Sequence, residues 1–558
     1  MAHNLSRREF LGFLATASAG WYLSFDSSTP AWAAPSQGFF EKSGPIDRQL
    51  GDRAPAVFSG DDFSRAHTAL WDLPAYLAKA PAPKEWETTD LTVIGGGLSG
   101  LFSTYAFRAF RPILLEQGAR FGGNAQGQSW RGIDYGMGSA YFPQPDPGSP
   151  LHRFYKELRL DKIVQRAPSD EPVAIGGKLL KGFWEGAAEP AHAATYKKLS
   201  AFLKTVHAAK NNPFPEIPPM NPRTAAFLKT LDAKNLTDAL TAEVGALPPL
   251  LSRAIEAYCW SALGAPPEEV SAAVGISFLA SEAAPLCVAP GGNAGVAEHL
   301  LHSALDAGVP SGNLRTNSLV LQVQVEGDKV KVLYEDATGK RRGVIAKAAI
   351  LACPKFVAAK ILDGMEPDRA AAIGEIEYRS YATAAVLITK PMAQRIYDVF
   401  LPSNADTPLS TPPAGATDVV VGSLGQARGR NTVLTLYRAF PTRTARTELL
   451  AKDAYTSVRA RFQAQIEKEL LPLFGFKTSD VADLRIARFG HALPIAKQGI
   501  IARGLPDRLR APFKSRVFFI EQDNWLTPAM ETGVGELTVQ EPLILSALGQ
   551  PEIARAKR

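Results

Sequence analysis

Three glycines, Gly95, Gly97 and Gly100, stand in the order GxGxxG directly after the apolar run "LTVI" and directly before the helical pattern "LSGLFSTYAF". The chemistry this spacing serves is the holding of a pyrophosphate. One glycine makes the tight turn, one lets backbone approach the phosphates, and one lets the helix pack on the strand. The helix N-terminus adds free N–H groups and the positive end of its dipole. Glu116 ends the second strand, "ILLE", at the spacing of an acid that accepts hydrogen bonds from a ribose hydroxyl. Strand, turn, helix, strand and acid form a βαβ unit, so a dinucleotide site is the first expectation.

The same unit runs on into "RFGGNAQGQSWRGIDYGMGSAYF", and an NAD-binding fold gains nothing from that second glycine pair. These residues resemble the flavin-containing amine oxidase and phytoene desaturase superfamily, in which the ribose acid is followed by a Gly-Gly pair and then by an Asp-x-Gly-x-like segment. Gly122 and Gly123 match the pair, and Asp134, Gly136 and Gly138 match the later segment. "APGGNAGVAEHLLHSAL" is similar to the family's glycine-led helix before a hairpin, and "NSLVLQVQV" to the strand whose backbone holds the adenine, placing Val320 there. "AAILACPKFVAAKIL" looks like the strand that returns to the cofactor domain, and "VFFIEQDNWLTPAMETGVGE" resembles the closing motif. The resemblance implies FAD, with its pyrophosphate on Gly97, Leu98, Ser99 and Gly100 and its ribityl-flavin chain passing Gly122 and Gly123. It implies that Glu521 or Asp523 holds the ribityl chain and that Met530, Thr532 and Gly533 lie near the flavin's carbonyl edge. A helix N-terminus there stabilises negative charge on the reduced ring.

Two positions depart from the family pattern. The closing motif of amine oxidases reads aromatic-Met-Glu-Gly-Ala, its aromatic forming one wall of a cage around the amine, whereas this chain has Ala529-Met530-Glu531-Thr532-Gly533. Trp525 is the nearby residue that would replace that wall, or else it packs in the core. The usual Arg after Gly-Gly is Asn124. By the resemblance, "RFGHALPIAKQG" approaches the substrate, so His491 either orients substrate and moves a proton or is a structural histidine. Relatives place a lysine-held water near flavin N5; Lys355 or Lys360 fills that role, or each is a solvated surface residue. His491, Trp525 and Lys360 are the catalytic candidates.

Composition narrows the remaining classes. The chain carries 61 Lys and Arg against 55 Asp and Glu, a net charge of +6 spread over 558 residues. No run of five basic residues and no basic stretch interleaved with aromatics occurs, which argues against nucleic-acid binding. Cys259, Cys287 and Cys353 are far apart and form no CxxC, which argues against a metal cluster, and they read as buried packing. The opening "SRREFLGFLATASAG", with Arg7, Arg8, an apolar core from Phe10 to Leu23 and Ala31-Trp32-Ala33, resembles a twin-arginine leader. The expectation is a leader over residues 1–33, FAD loading before passage through the twin-arginine machinery, and a periplasmic destination. Later apolar windows are too short to cross a bilayer, so the remainder is expected to be soluble or at most peripheral at a membrane.

The expected fold is α/β. A Rossmann-like FAD-binding domain comprises residues 91–150, 286–362 and 486–558, and an inserted substrate domain of mixed sheet and helices comprises 151–285 and 363–485. An N-terminal extension, 34–90, wraps the surface ahead of the first strand. The expected function is an exported FAD-dependent oxidoreductase of amine oxidase type, taking hydride from a C–H bond of an amine-like small molecule. The alternatives are a desaturase or isomerase of an apolar polyene or lipid, and a non-enzymatic envelope flavoprotein. The electron acceptor is left open.

Overall fold

The computed structural model describes residues 37–168, 171–208, 217–402, 409, 411–426 and 430–550. The expected leader lies outside them. The first long strand, Glu87–Ile94, passes from exposed to wholly buried along its length, as the central strand of a sheet covered on both faces must. It pairs in parallel with Ile113–Leu115 on one side and Arg341–Leu351 on the other. Leu314–Arg315 extends the sheet beyond Ile113–Leu115. On the opposite side lie the antiparallel strands Lys329–Glu335 and Leu319–Glu326, joined at Gly327, whose φ of +59° suits glycine. Val517–Phe519 returns to pair in parallel with the end of Arg341–Leu351.

Three helices, Leu98–Ala106, Asn293–Asp306 and Met530–Ala547, cover one face of this sheet. Their inward residues, among them Leu101, Phe102, Val296, Leu300, Val534 and Leu537, form one core with Leu91, Val93 and Ile350.

The second sheet has eight strands, with Thr432–Phe440, Tyr378–Ile388 and Val481–Pro494 as its long centre. A long helical stretch is divided into Ala454–Gln465, a π-turn over Ile466–Leu470 and Leu471–Phe474. Pro472 accounts for the break: it lacks an N–H and its ring crowds the carbonyl one turn back, so the Leu471 N–H bonds five residues back to Ile466. Helices between Ala193 and Ser281 enclose a separate core around Leu228, Leu240, Leu251 and Ile255. No helix among the described residues is long and apolar enough to cross a membrane.

The extension does more than wrap the surface. Ile46–Asp47 pairs with Gly127–Gln128, Ser59–Gly60 is the edge strand beside Ala487–Arg488, and Leu70 packs with Ile94, Leu115 and Val320. Arg485 ties these parts together: its buried guanidinium donates to the Tyr135 hydroxyl (2.9 Å), the Gly51 carbonyl (2.5 Å) and Asp483 (3.2 Å). Arg485→Met would strand Asp483 and the Gly51 carbonyl beside an apolar chain. We expect a loss of about 3–5 kcal/mol, read as a lowered melting temperature with FAD present or absent.

Candidate cofactor and active site

Backbone meets backbone at the start of the helix Leu98–Ala106. A side chain at Gly100 would stand 1.9 Å from the Gly95 carbonyl oxygen, and one at Gly95, where φ is +103°, 2.6 Å from the Ala352 carbonyl oxygen. Gly97 is different: an added Cβ meets Gly123 Cα at 3.7 Å and the Gly122 carbonyl oxygen at 3.9 Å, both ordinary contacts, so the protein itself leaves room there. Glycine at 97 is thus unexplained by packing and fits the close approach of a phosphate. The Glu116 carboxylate accepts from the N–H of Gly96 and of Gly118, each at 2.7 Å, fixing the loop to the end of the second strand. Burial raises its pKa above the ordinary value, against those backbone bonds.

Gly122 lies beside Gly97 as a parallel bridge and donates to the Gly96 carbonyl (2.8 Å). Asn124 donates from Nδ2 to the Ala492 carbonyl (2.9 Å), and its own carbonyl accepts from Ser139 N–H (3.0 Å). The side chain that stands where relatives carry Arg therefore fastens the glycine-pair loop to the strand end that carries His491.

The closing segment brings two carboxylates together. Lys355 Nζ, wholly buried, lies 2.6 Å from Glu521 Oε1, and Glu521 Oε2 accepts from Asp523 N–H at 2.6 Å. Asp523 accepts in turn from Lys355 N–H (3.0 Å) and the Tyr378 hydroxyl (2.5 Å). Burial pushes Glu521 up to about 8 against the pull of Lys355, and raises Asp523 as well. The helix Met530–Ala547 then begins with its N-terminus at the cavity, so close to Leu98–Ala106 that a side chain at Gly533 would meet Ser99 Oγ at 2.3 Å.

One cavity of about 1810 Å³ connects these parts. Gly95, Gly97, Leu98, Ser99, Glu116, Gly122, Gly123, Asn124, Val320, Glu521, Asp523, Met530 and Thr532 line it; Gly100 and Gly533 stand behind the wall and permit the close packing. His491 and Lys360 also line it. The His491 ring lies 4.4 Å from Phe356 and 5.8 Å from Tyr378. Burial lowers its pKa, and so do the neighbouring His67 and Arg446, so the ring is neutral near pH 7. Lys360 is exposed in the last turn of Lys355–Ile361, whereas Lys355 is sealed in its ion pair. Trp525 does not reach the cavity. Its indole is 5% exposed, packs with Leu526 and Leu509, and donates to Glu536 Oε2 at 3.0 Å, so it supplies no cage wall. The three cysteines are free and buried.

Beyond the glycine loops, the cavity ends among residues that the sequence reading passed over. Glu282 Oε1 accepts from the Tyr258 hydroxyl (3.0 Å) and lies 3.5 Å from that of Tyr141. Asp418 accepts from Ser261 (2.8 Å) beside the second buried acid, Asp398. Burial pushes Glu282 up to about 7 and Glu531 likewise to about 7. A usable signal was present: Glu282 follows the apolar helix "AAVGISFLAS" and Asp418 heads the apolar strand "DVVV", each a lone charge in an otherwise buried run.

The glycine cradle, the ribose acid and the helix N-terminus fit FAD, and the cavity continues past them into space for a substrate. The model of the flavin containing amine oxidoreductase family matches residues 100–415, and the chain belongs to that family. It is similar to Oxidoreductase PigB of Serratia sp. (strain ATCC 39006), at 24% identity over 578 residues, covering 88% of this chain and 82% of that protein. Among solved structures, a putrescine oxidase variant aligns with 83% of this chain and 100% of its own at a TM-score of 0.60 and 16% identity. Cyclohexylamine oxidase from Brevibacterium oxydans aligns with 83% of this chain and 99% of its own at 0.58 and 16%. The protein is an FAD-dependent oxidoreductase with the amine oxidase fold.

Gly97 and Gly100 are separable by experiment. Gly97→Ala should fold with an unchanged apoprotein melting curve yet retain FAD about tenfold less tightly, read by flavin content after gel filtration. Gly100→Ala should lower the melting temperature itself, by an overpacking cost of about 1–3 kcal/mol.

Proposed function

We propose that the chain is an exported amine oxidase or dehydrogenase that takes hydride from a C–H bond next to nitrogen in a small cationic substrate. One observation carries the reading: Asp418 is buried and Glu282 half-buried where they line the substrate end of the FAD cavity, and among the described residues neither is ion-paired to a lysine or arginine. Buried carboxylates without a counter-ion are costly, and a protonated amine is the ligand that would relieve them. Tyr141, Tyr258, Phe400 and Tyr437 line the same end and supply aromatic faces for a cation. The chemistry FAD supplies when bound is two-electron acceptance from that C–H bond. Glu282, oriented by the Tyr258 hydroxyl, would hold the ammonium, and neutral His491, which lines the same cavity, would accept a proton.

A second reading, oxidation of an apolar polyene or lipid, is favoured by the mouth of the cavity, where Trp71 is 78% and Leu450 43% exposed. Anaerobic mixing with primary amines and with polyenes separates the two. Loss of the flavin's visible absorbance with amines alone supports the first reading, and loss with polyenes alone overturns it.

The pH dependence carries a definite sign. Glu282 is protonated below about 7 in the folded chain but only below its ordinary value of 4.5 when unfolded. Its contribution to stability is therefore full below about pH 4.5 and lost as pH rises through about 7. Glu282→Gln should be more stable than wild type at pH 8, by roughly 1–3 kcal/mol, with the gap closing toward pH 5 in thermal melts. An ammonium needs the ionised carboxylate, so wild-type kcat/KM for amines should fall as pH drops below about 7 and level off in Glu282→Gln.

Export is proposed on Arg7 and Arg8 ahead of the apolar core of the opening segment. Changing both to lysine should leave the protein in the cytoplasm with FAD bound, measured by fractionation and flavin content. Periplasmic delivery of the double variant would contradict this.

A further inference from the structure

The extension crosses the cofactor cavity. At one end Ser59–Gly60 pairs with Ala487–Arg488, Asp61 N–H donates to the Arg488 carbonyl (2.8 Å), and Asp61 Oδ2 accepts from Gly490 N–H (2.7 Å). The Arg488 guanidinium lies 4.6 Å from the ring centres of both Phe58 and Phe63, which holds this end by cation–π contact. All of these partners belong to the second sheet.

At the other end the partners belong to the first. Arg65 donates to the carbonyls of Asn317 (2.9 Å), Glu335 (2.8 Å) and Asp336 (2.7 Å) and pairs with the Glu335 carboxylate at 3.0 Å. Gln117, next to the ribose acid Glu116, donates from Nε2 to the Asp62 carbonyl (3.1 Å). Asp62 and Phe63 between the anchors, Asp61 at the first and Ala66, His67 and Leu70 just past the second face the cavity alongside Glu116 and Val320. Asp61 lies near enough to Glu116 for the two charges to repel.

We propose that residues 59–71 are a clasp that closes the adenosine side of the FAD site, holding the cofactor by spanning both sheets. A dinucleotide against Glu116 and Val320 lies beneath this segment, and leaving outward on that side requires an anchor to open. Of the two anchors Arg65 is the stronger, since its guanidinium replaces water at three carbonyls and a carboxylate. The clasp slows FAD release rather than adding contacts specific to the flavin ring.

The experiment follows free-flavin fluorescence after dilution of full-length holoprotein. Arg65→Ala should lower the apoprotein melting temperature, because buried Glu335 loses its cation, and at a temperature where the variant is still folded it should release FAD about tenfold faster or more. In the second arm, Asp62→Cys and Gln117→Cys are bridged by a short bismaleimide in a Cys353→Ser background, because Cys353 is the native cysteine that lines the cavity. The bridged protein should release FAD more slowly than the same double variant left unbridged. Release from Arg65→Ala within about twofold of wild type, or equal release with and without the bridge, would overturn the clasp. The bridge arm stands even if Arg65→Ala does not fold.

Discussion

Backbone packed on backbone with only hydrogen between is the constraint on which this structure depends. At Gly100 against Gly95, Gly95 against Ala352 and Gly138 against Asn124, any larger residue would place an atom 2.6 Å or less from a backbone oxygen, and at Gly533 it would stand 2.3 Å from the Ser99 hydroxyl. These contacts join the first helix, the returning strand, the glycine-pair loop and the closing helix around one point. The chain contributes those four segments from positions more than 400 residues apart, between Gly95 and Gly533. Because they meet so closely, the N-terminus of Leu98–Ala106 and that of Met530–Ala547 both open on the same cavity, and two helix dipoles bear on one bound molecule.

Charge around that point follows a simple division. Carboxylates that belong to the cofactor side have partners inside the protein: Glu116 has the N–H groups of Gly96 and Gly118, Glu521 has Lys355, and Asp523 has Tyr378. Glu282 and Asp418, at the far end, have hydroxyl donors but no side-chain cation among the described residues. Burying an acid costs solvation in either place, and only at the cofactor end does a side-chain cation, Lys355, offset part of that cost. The uncompensated end is where a ligand's own charge has the largest effect on binding.

The cofactor half was legible because its physics is local. Gly95, Gly97, Gly100 and Glu116 lie within one βαβ unit, so turn, phosphate approach and ribose acid fall at fixed spacings that a single sequence displays. A dinucleotide site in an α/β fold followed from those spacings, whereas FAD and an amine oxidase family came from the resemblance of the later glycines and the closing motif to that family. The substrate end was not legible, because Glu282, Asp418 and Tyr258 come from two helical regions and a strand that meet only in the tertiary structure. Trp525 shows the converse: its nearness in sequence to the closing motif suggested a cavity wall, but the 3₁₀ turn Gln522–Asn524 directs its indole to Glu536. The extension gave no periodic signal, since its strands are two residues long and its hold on the two sheets comes from single side chains such as Arg65.

The central claim is that this fold carries FAD, held without a covalent bond, across the glycine contacts. Its most direct test is the visible spectrum of the purified full-length protein, followed by heat denaturation and chromatography of the supernatant against FAD, FMN and NAD standards. The account predicts a yellow protein that releases FAD, in a ratio approaching one per chain. A colourless protein, release of NAD or FMN, or flavin that stays with the precipitated chain would contradict it.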